Sequence, residues 1–304
     1  MILRNPMLAA SRNLTKKLAT RISYPKWVTD KEDGIRCLLA VSANHNPTGC
    51  TAFSRSLKPL PNIHIYNWAA DHGLAGLDGE IVIPDMTFHQ IQSWVMTQYP
   101  MPREFEYHVF DHMPDKQDQG YLRRIRKAVA RVAMYGPKNI KVLYPKRINS
   151  PSELRDAFED AILRGKEGLI VRDADGYYKS TSRCTFTEEN VLKMKLYEEK
   201  EAIVVGFKEL QINDNPSETS RLGYAKRSSH KANKRGGKTL GALVCRDEDT
   251  RVLFDLGIGF TAELRKEIWD HQEEWLGARV SYTHQPHGKK EKPRCPNFKG
   301  RRKD

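Results

Sequence analysis

The sequence predicts an α+β protein of two domains, and two observations predict it. Up to residue 198, strand-like and helix-like segments alternate without an internal repeat, as expected of one mixed domain. Beyond that point the pattern changes to short strands with a single helix, which is compatible with a small closed barrel of the OB type. A chain of 304 residues has room for both. We therefore expect domains at 1–198 and 199–304.

The first domain is predicted to begin with strands separated by polar turns. The strand-like runs are 35–41 (IRCLLAV), 50–56 (CTAFSRS) and 76–84 (GLDGEIVIP). A helix is predicted next, over 87–97, because Phe88, Ile91, Trp94 and Val95 recur at helical spacing.

Two further helices have clear signals. The segment 121–135 is basic and amphipathic. The helix over 151–164 is expected to start at Ser150, with Glu153 completing a capping box, and to end at Gly165. Strands are predicted around these helices at 106–113 (EYHVFDHM), 167–173 (EGLIVRD) and 190–198 (NVLKMKLYE).

The second domain is predicted to be built from short strands. They are 202–210 (AIVVGFKEL), 239–247 (TLGALVCRD), 251–260 (RVLFDLGIGF) and 278–285 (ARVSYTHQ). One helix is expected around 262–275. The segment 211–238 is rich in Ser, Asn, Gly, Lys and Arg, so we expect it to be an exposed loop.

The composition indicates a polyanionic partner. Lysine and arginine number 51 against 38 acidic residues, which gives a net charge of +13. An excess of this size fits nucleic acid and, less specifically, an anionic membrane surface. No apolar run approaches the roughly 18 residues that span a bilayer, so we expect no membrane association.

The cysteines and the N-terminus bear on the compartment. The five cysteines include no C-x-x-C pair, which argues against a zinc module or a secreted disulfide framework. We expect a reducing location, the cytoplasm. No acidic residue precedes Asp30. This basic start could serve as an organelle targeting segment, although a phosphate-binding protein has its own reason to be basic there.

Charged residues gather at the ends of several predicted strands. Taken alone, the hexad KEDGIR at 31–36 could be a polar turn in which Gly34 supplies an unusual backbone angle. Further islands lie in or beside the later strands: Ser54 and Arg55, the DGE at 78–80, Phe110 with Asp111, Glu167 with Gly168, and Lys193 with Lys195. Cations suit phosphates, carboxylates suit a metal or ribose hydroxyls, and an aromatic ring suits a base. Together they predict a nucleoside triphosphate site.

The order of these islands resembles the covalent nucleotidyltransferases, and most closely the compact, phage-type ATP-dependent DNA ligases. KEDGIR resembles their lysine signature K-x-D-G-x-R, and the later islands follow the family's order. The end of the chain, RCPNFKGRR at 294–302, resembles the family's terminal R-x-P-x-F-x-G-x-R motif. The resemblance covers residue 24 to the end. It implies a nucleotidyltransferase (adenylation) domain at 1–198 and an OB-fold domain at 199–304.

The resemblance implies a three-step reaction that uses ATP and Mg²⁺ or Mn²⁺. The amine of Lys31 would take adenylate from ATP and pass it to the 5′-phosphate of a nick. The 3′-hydroxyl would then attack that phosphate, seal the strand and release AMP. A free lysine is almost entirely protonated at neutral pH, so we expect neighbouring cations to lower the pKa of Lys31. Glu32 would raise that pKa, and we expect its side chain to point away.

The resemblance also implies a role for each matched residue. The catalytic set is Lys31, Lys193, Lys195 and Arg302. The nucleotide-binding set is Arg36, Arg55, Glu80, Phe110, Glu167, Lys193, Lys195 and Arg294, in which Phe110 would stack on adenine. Glu80 and Glu167 would hold the metal. Arg294 and Arg302 would orient the leaving pyrophosphate in the first step only, which requires the OB-fold domain to close and reopen.

The expected partner is nicked double-stranded DNA, bound by a monomer through backbone phosphates and therefore in a salt-sensitive manner. The segment 221–237 concentrates basic residues, so we expect a DNA-embracing element, with a solvated linker as the alternative. The predicted DNA contacts are Arg55, Arg221, Lys226, Arg227, Lys231, Lys234 and Arg235.

Other functions remain open at this stage. An mRNA capping guanylyltransferase shares several of these motifs, but the terminal RCPNFKGRR favours a ligase. An RNA ligase is a weaker alternative. A non-catalytic nucleic-acid-binding protein is disfavoured because Lys31 and its expected neighbours are all present.

Overall fold

The computed structural model describes residues 5–42, 46–114, 119–221, 225–228, 230, 233–286 and 291–302. The chain divides into two compact units. The first unit comprises Met1–Lys195 and Thr219–Tyr224, and the second comprises Leu196–Glu218 and Ala225–Asp304. The boundary after residue 198 that the sequence indicates remains a prediction.

The first unit contains ten strands and five helices within the described residues. In chain order the strands are β1 (Ala10–Asn13), β2 (Lys26–Asp30), β3 (Ile35–Ser42), β4 (Asn46–Phe53), β5 (Leu77–Val82), β6 (Glu106–His112), β7 (Ile140–Val142), β8 (Lys146–Ile148), β9 (Gly168–Arg172) and β10 (Val191–Lys195). The helices are α1 (Lys16–Ala19), α2 (Ile63–Asp71), α3 (Phe88–Met96), α4 (Tyr121–Tyr135) and α5 (Pro151–Leu163).

These strands form two five-stranded sheets, with the strand orders β1-β10-β9-β2-β8 and β4-β3-β5-β6-β7. Strand β2 belongs to the first sheet and β3 to the second, so the short segment Lys31–Gly34 carries the chain from one sheet to the other. Gly34 is needed there because a Cβ atom at this position would overlap the carbonyl oxygen of Ile81 on β5. Close backbone approach, and not a positive φ, therefore explains the glycine of the hexad.

Apolar side chains fix the second sheet against its helices. Ile65 of α2, Ile91 and Val95 of α3, and Ile125 of α4 are buried in one cluster with Leu39 of β3. A smaller apolar cluster, which includes Leu38 on β3 and Val191 on β10, joins residues from both sheets. The site residues predicted in this unit lie on or beside the strands of these two sheets.

The second unit contains a five-stranded antiparallel sheet with the order β15-β14-β11-β16-β17. It also contains the hairpin β12-β13, except that Thr219 at the end of β12 belongs to the first unit. The strands are β11 (Glu198–Asn213), β12 (Ser217–Thr219), β13 (Ala225–Arg227), β14 (Lys234–Asp247), β15 (Leu253–Leu256), β16 (Arg279–Gln285) and β17 (Arg294–Arg301), and the helices are α6 (Ala262–Asp270) and α7 (Gln272–Trp275). The N–H of Phe298 donates to the carbonyl of Ile258 at 2.8 Å, which joins the two ends of the sheet. The result is the OB-type barrel that the sequence predicts.

The helices begin and end close to where the sequence places them. The predicted helix 121–135 matches α4, and the predicted helix 151–164 matches α5 to within a residue. The hydroxyl of Ser150 accepts a hydrogen bond from the N–H of Glu153 at 3.2 Å, as an N-cap should. The carboxylate of Glu153, however, accepts from the N–H of Asn149 rather than from that of Ser150, so the capping box is shifted by one residue.

Two expectations about elements were wrong, and one helix was missed. The segment 211–238 is not simply an exposed loop, because β11 and β14 extend into it and β12 and β13 lie within it. The helix expected at 262–275 is divided at His271 into α6 and α7. Helix α2 was not expected at all; the side chain of Asn62 caps it by accepting from the N–H groups of His64 and Ile65.

All five cysteines lie in described residues and none is in a disulfide. Cys37, Cys50, Cys184 and Cys245 are buried, whereas Cys295 on β17 is exposed. No helix in the described ranges has both the length and the apolar character required to cross a membrane.

Candidate functional site

The site is centred on Lys31, which directly follows β2. Its N–H donates to the carbonyl of Gly168 at 2.9 Å, and this bond joins the backbone of Lys31 to the first residue of β9. Its side chain is 17% exposed. The amine Nζ donates to the main-chain carbonyl of Glu32 at 3.0 Å and forms an ion pair with the carboxylate of Glu167. The amine is thus held from two sides at the point where the chain passes between the sheets.

Glu167 lies between two lysines. Its side chain is 3% exposed, and its two carboxylate oxygens pair separately with Lys31 and with Lys195 at the end of β10. Lys195 is brought there because it is opposite Gly168 in the antiparallel pair of β9 and β10. Gly168 has a φ of +147°, and a Cβ at this position would overlap the carbonyl oxygen of Met194. The turn that presents Glu167 therefore requires glycine.

The pKa of Lys31 is raised, which corrects the expectation that cations would lower it. Burial alone lowers the pKa of this amine, but the carboxylates of Glu80, Glu167 and Asp33 outweigh burial. The amine is therefore protonated in this state. Lys195 does not act as an unpaired neighbouring cation, because its charge is offset by Glu167.

The other ionisable groups of the centre shift in different directions. Burial lowers the pKa of Lys193 to about 8, with smaller contributions from Lys195 and Lys31. Burial raises the pKa of Glu80, and the nearby Glu167 adds to this, although Lys31 opposes it. Burial also disfavours the charged form of Glu167, but its two lysine partners more than compensate and leave its pKa lowered.

Glu80 and Glu167 could hold a divalent cation. Carboxylate oxygens are ligands that Mg²⁺ prefers, and the charge of Glu167 is among the causes that raise the pKa of the buried Glu80, after burial itself. The residues therefore fit a metal of this kind.

Arg36 and Phe110 lie on β3 and β6, which flank β5 in the second sheet. The guanidinium of Arg36 forms a bidentate pair with the buried carboxylate of Asp78, at 2.9 and 2.6 Å, and donates to the carbonyl of Met7 at 2.7 Å. It also lies over the ring of Phe110, 5.4 Å from the ring centroid. On the same ring, the guanidinium of Arg172 lies 5.6 Å from the centroid. Phe110 is therefore held by cation–π contacts.

Arg55 lines a separate cleft of about 460 Å³ in the first unit. The lining is polar and basic: Asn5, Ser56, Ser180, Thr181, Ser182, Arg183 and Thr219 contribute, with Pro6 and Leu8. Two arginines and several hydroxyls suit an anion such as phosphate. Arg183 was not singled out from the sequence. Only its chain position shortly before β10 could have pointed to it.

Arg294 and Arg302 lie in the second unit, at the two ends of β17. The guanidinium of Arg302 is half exposed and donates to the carboxylate of Glu201 on β11 at 2.7 Å. A second carboxylate of the same strand, that of Glu199, lies 3.6 Å away. Arg302 is therefore partnered within its own unit in this state.

The basic segment 221–237 is divided between the units. Arg221 belongs to the first unit and donates to the carbonyl of Pro59 at 3.0 Å. Lys226 is exposed, while Arg227 donates to the carbonyl of Asn215 at 2.6 Å. Further along the segment, Lys234 is half buried and Arg235 pairs with Asp214 at 3.0 Å. Lys231 lies outside the described residues.

The structure also brings together residues that the sequence did not connect. Asp111 accepts from both Arg124 and Arg172, and Glu32 pairs with Lys166. These partners come from different strands, a helix and a loop, so no spacing along the chain could have indicated them.

Comparisons with protein families identify two domains in this chain. Residues 6–195 match the family described as the ATP dependent DNA ligase domain. Residues 233–302 match the family described as the DNA ligase OB-like domain. A search of curated proteins finds no match.

Solved structures with the same fold cover nearly the whole chain. The Chlorella virus DNA ligase–adenylate is 26% identical over 100% of this chain and 99% of its own, with a TM-score of 0.56. A Lig E DNA ligase, described as binding DNA with a minimal scaffold, is 20% identical over 99% and 100%, with a TM-score of 0.72. The ATP-dependent DNA ligase from bacteriophage T7 in complex with ATP is 17% identical over 98% of each chain, with a TM-score of 0.51. The last two comparisons bear on the fold alone.

Proposed function

This chain belongs to the ATP-dependent DNA ligase family, and from that premise we propose that Lys31 carries the adenylate during nick sealing. One observation carries the proposal: the Lys31 amine lies between the Glu32 carbonyl and the Glu167 carboxylate, with Lys195 on the other oxygen of that carboxylate. The carbonyl and the carboxylate fix the position of the nitrogen, which attack on a phosphate requires.

In the first step, the uncharged amine of Lys31 attacks the α-phosphorus of ATP. A nitrogen–phosphorus bond forms, the bond from that phosphorus to the bridging oxygen breaks, and pyrophosphate leaves with the electron pair. As this bond forms, the nitrogen releases one proton to solvent and keeps one hydrogen in the phosphoramidate product. Lys193 and Lys195 are the proposed partners of the α-phosphate, where their charge would stabilise the transition state.

In the second step, an oxygen of the 5′-phosphate at a nick attacks the adenylate phosphorus. The nitrogen–phosphorus bond breaks and the Lys31 amine takes up a proton as it leaves. In the third step, the 3′-hydroxyl attacks the activated 5′-phosphorus, and AMP leaves as the phosphodiester forms. Positioning and electrostatic stabilisation supply most of the catalysis in such phosphoryl transfers.

The remaining site residues have proposed binding roles. Phe110 would stack on adenine, and Arg36 would contact ribose or phosphate. Glu80 and Glu167 would hold Mg²⁺ or Mn²⁺, which would offset their charge on Lys31 and the charge of the phosphates. Arg55 would contact the nick phosphate, which the basic lining of its cleft supports. Arg294 and Arg302 would act on pyrophosphate in the first step.

For DNA, we propose that backbone phosphates meet the basic segment 221–237, since a nick can occur in any sequence. The net charge of +13 supports a salt-sensitive, base-indifferent interaction. We further propose a monomer that works in the reducing cytoplasm, in keeping with the five unpaired cysteines.

The test of the central role is Lys31→Ala. With labelled ATP, this variant should form no protein–AMP adduct, yet it should still bind a nicked duplex because the phosphate contacts lie elsewhere. Adduct formation at the normal level in Lys31→Ala would place the nucleophile at another residue. Parallel incubation with labelled GTP covers the guanylyltransferase alternative, which the two matched DNA ligase domains do not favour.

A further inference from the structure

Glu32, the second residue of the hexad, takes part in a closed ring of contacts around Lys31. The carboxylate of Glu32 is 8% exposed and accepts from the amine of Lys166 through both oxygens, at 3.0 Å each. Lys166 directly precedes Glu167, whose carboxylate pairs with Lys31. The Lys31 amine in turn donates to the main-chain carbonyl of Glu32 at 3.0 Å. Each of the two groups that hold the amine is therefore tied to the other.

Glu32 has a second partner on the opposite side of the ring. Nδ1 of His108, on β6, lies 3.6 Å from the Glu32 carboxylate, and Nε2 of the same imidazole is 2.8 Å from Glu106. Glu106 also pairs with the exposed Lys141 at 2.6 Å. The carboxylate of Glu32 thus lies between Lys166, in the loop before β9, and His108 of the second sheet.

We propose that Glu32 is a positioning residue for protein adenylylation: by pairing with Lys166 it fixes the Glu32 carbonyl and the Glu167 carboxylate relative to each other, and so sets where the Lys31 amine meets the α-phosphorus. The inference rests on the proposed role of Lys31 as the nucleophile. It assigns no contact with ATP to Glu32 itself.

The geometry predicts that the Glu32–Lys166 pair affects protein adenylylation in particular. Attack by the amine requires its nitrogen in line with the bond that breaks, and a misplacement of about 1 Å can cost roughly 10²-fold in rate. Sealing of a nick that already carries adenylate involves the 3′-hydroxyl and not the Lys31 amine. Loss of the Glu32–Lys166 pair should therefore slow adenylylation and spare the last step.

The variants that test the proposal are Glu32→Gln and Lys166→Met. Glu32→Gln keeps the size of the side chain and removes its charge, and Lys166 is 32% exposed, so its replacement should be tolerated by the fold. At saturating ATP, single-turnover adenylylation should slow by about tenfold to a hundredfold in either variant. The half-saturating ATP concentration should stay within about twofold, because no ATP contact is lost.

Two controls separate positioning from general damage. Lys166→Arg keeps the cation and should restore most of the adenylylation rate. Lys141→Met removes only the outermost ion pair, between Lys141 and Glu106, and should leave the rate nearly unchanged. The double variant Glu32→Gln/Lys166→Met should be no slower than the slower single variant, because both remove the same pair.

The outcomes are distinguishable. An unchanged adenylylation rate in Glu32→Gln and Lys166→Met, or an equal loss in the sealing of pre-adenylated nicks, would overturn the positioning role. If peptide mapping of the wild-type adduct found adenylate on a residue other than Lys31, the proposed role of Lys31 as the nucleophile would be wrong, and the role of Glu32 with it. Adenylate on Lys31 together with normal rates in both variants would reject the role of Glu32 alone.

Discussion

Lys31 faces opposite requirements in the first two steps of the proposed reaction. The carboxylates around it raise the pKa of its amine, so the protonated form that cannot attack ATP dominates before the nucleotide binds. The same environment favours departure of the amine in the second step, because a leaving amine with a high pKa takes up a proton readily. A metal ion held by Glu80 and Glu167 would offset these carboxylates and so lower the pKa of the Lys31 amine.

Lys193 gives a prediction about proton uptake. Because the pKa of Lys193 is about 8, roughly half of its amines are uncharged at pH 8, and a bound triphosphate would raise that pKa. Binding of α,β-methylene ATP, which cannot donate its adenylate, should therefore be accompanied by proton uptake at pH 8 and by less uptake at pH 7. Calorimetry in two buffers of different ionisation enthalpy measures this directly.

The matched variant is Lys193→Met. It should still bind the analogue, although more weakly, and it should lose most of the proton uptake at pH 8. If the wild-type protein released protons at pH 8, or if Lys193→Met kept the full uptake, the phosphate contact would belong to another group.

Gly168 gives a prediction about stability. Its φ of +147° and the closeness of the Met194 carbonyl leave no space for a Cβ, so Gly168→Ala should destabilise the fold by about 3 kcal/mol or more. Gly165→Ala is the control: φ there is +75° but nothing lies within 4 Å of the added Cβ, so about 1 kcal/mol is expected. Urea unfolding measures both, and equal losses would show that the Met194 contact does not matter.

For single residues, the sequence predicts which residues belong to the site better than it predicts which residues they pair with. Lys31, Glu80, Glu167, Lys193 and Lys195 could be selected from motifs, and the electrostatics of the structure couple them. Which carboxylate each cation meets could not be predicted, because pairs such as Arg36 with Asp78 depend on strand register. The direction of the Lys31 pKa shift was wrong for the same reason.

At the scale of elements, local signals decide what can be predicted. The capping serine predicts where helix α5 begins, and the helical spacing of apolar residues predicts α4. Helix α2 was missed because Ile63, Ile65, Tyr66 and Trp68 favour strands by intrinsic preference, and burial of Ile65 in the core overrides that preference. The hairpin β12-β13 is exposed along both strands, so it leaves no hydrophobic pattern to read.

The basic segment 221–237 should be tested by point variants and not by deletion. Its last residues belong to β14 and pair with β11, so deletion would damage the barrel. Lys226 is exposed, and Lys226→Ala should weaken binding of a nicked duplex and reduce the slope of log affinity against log salt by about 1. Fluorescence anisotropy at several salt concentrations gives this slope.

The control for this slope is Lys266→Ala, on α6, where the lysine is also exposed but pairs with Asp270 of its own helix. Its slope should match the wild type. An unchanged slope in Lys226→Ala would favour the alternative that the segment is a solvated linker.

At the scale of the whole molecule, the proposed reaction assigns different steps to different parts of the chain. Lys31 and its neighbours lie in the first unit and Arg302 lies in the second. If Arg302 acts on pyrophosphate, Arg302→Ala should slow protein adenylylation by about tenfold to a thousandfold and leave the sealing of pre-adenylated nicks within about twofold. Single-turnover assays of the two steps separate these effects.

Arg279→Ala is the control for Arg302→Ala. Arg279 lies on the neighbouring strand β16, and its guanidinium approaches the same carboxylate, that of Glu201, at 3.8 Å. Because Arg279 is outside the terminal motif, both steps should proceed normally. A similar loss in both steps for Arg302→Ala would instead indicate that the Arg302–Glu201 pair supports the barrel.

The exposed thiol at position 295 makes the native chain suitable for optical measurements. Since the other four sulfhydryls are buried, a maleimide dye should attach at one place, immediately beside Arg294. The emission of that dye can be followed after mixing with nucleotide and again after adding a nicked duplex. The rates of the two changes would report when the surroundings of β17 change, without any engineered cysteine.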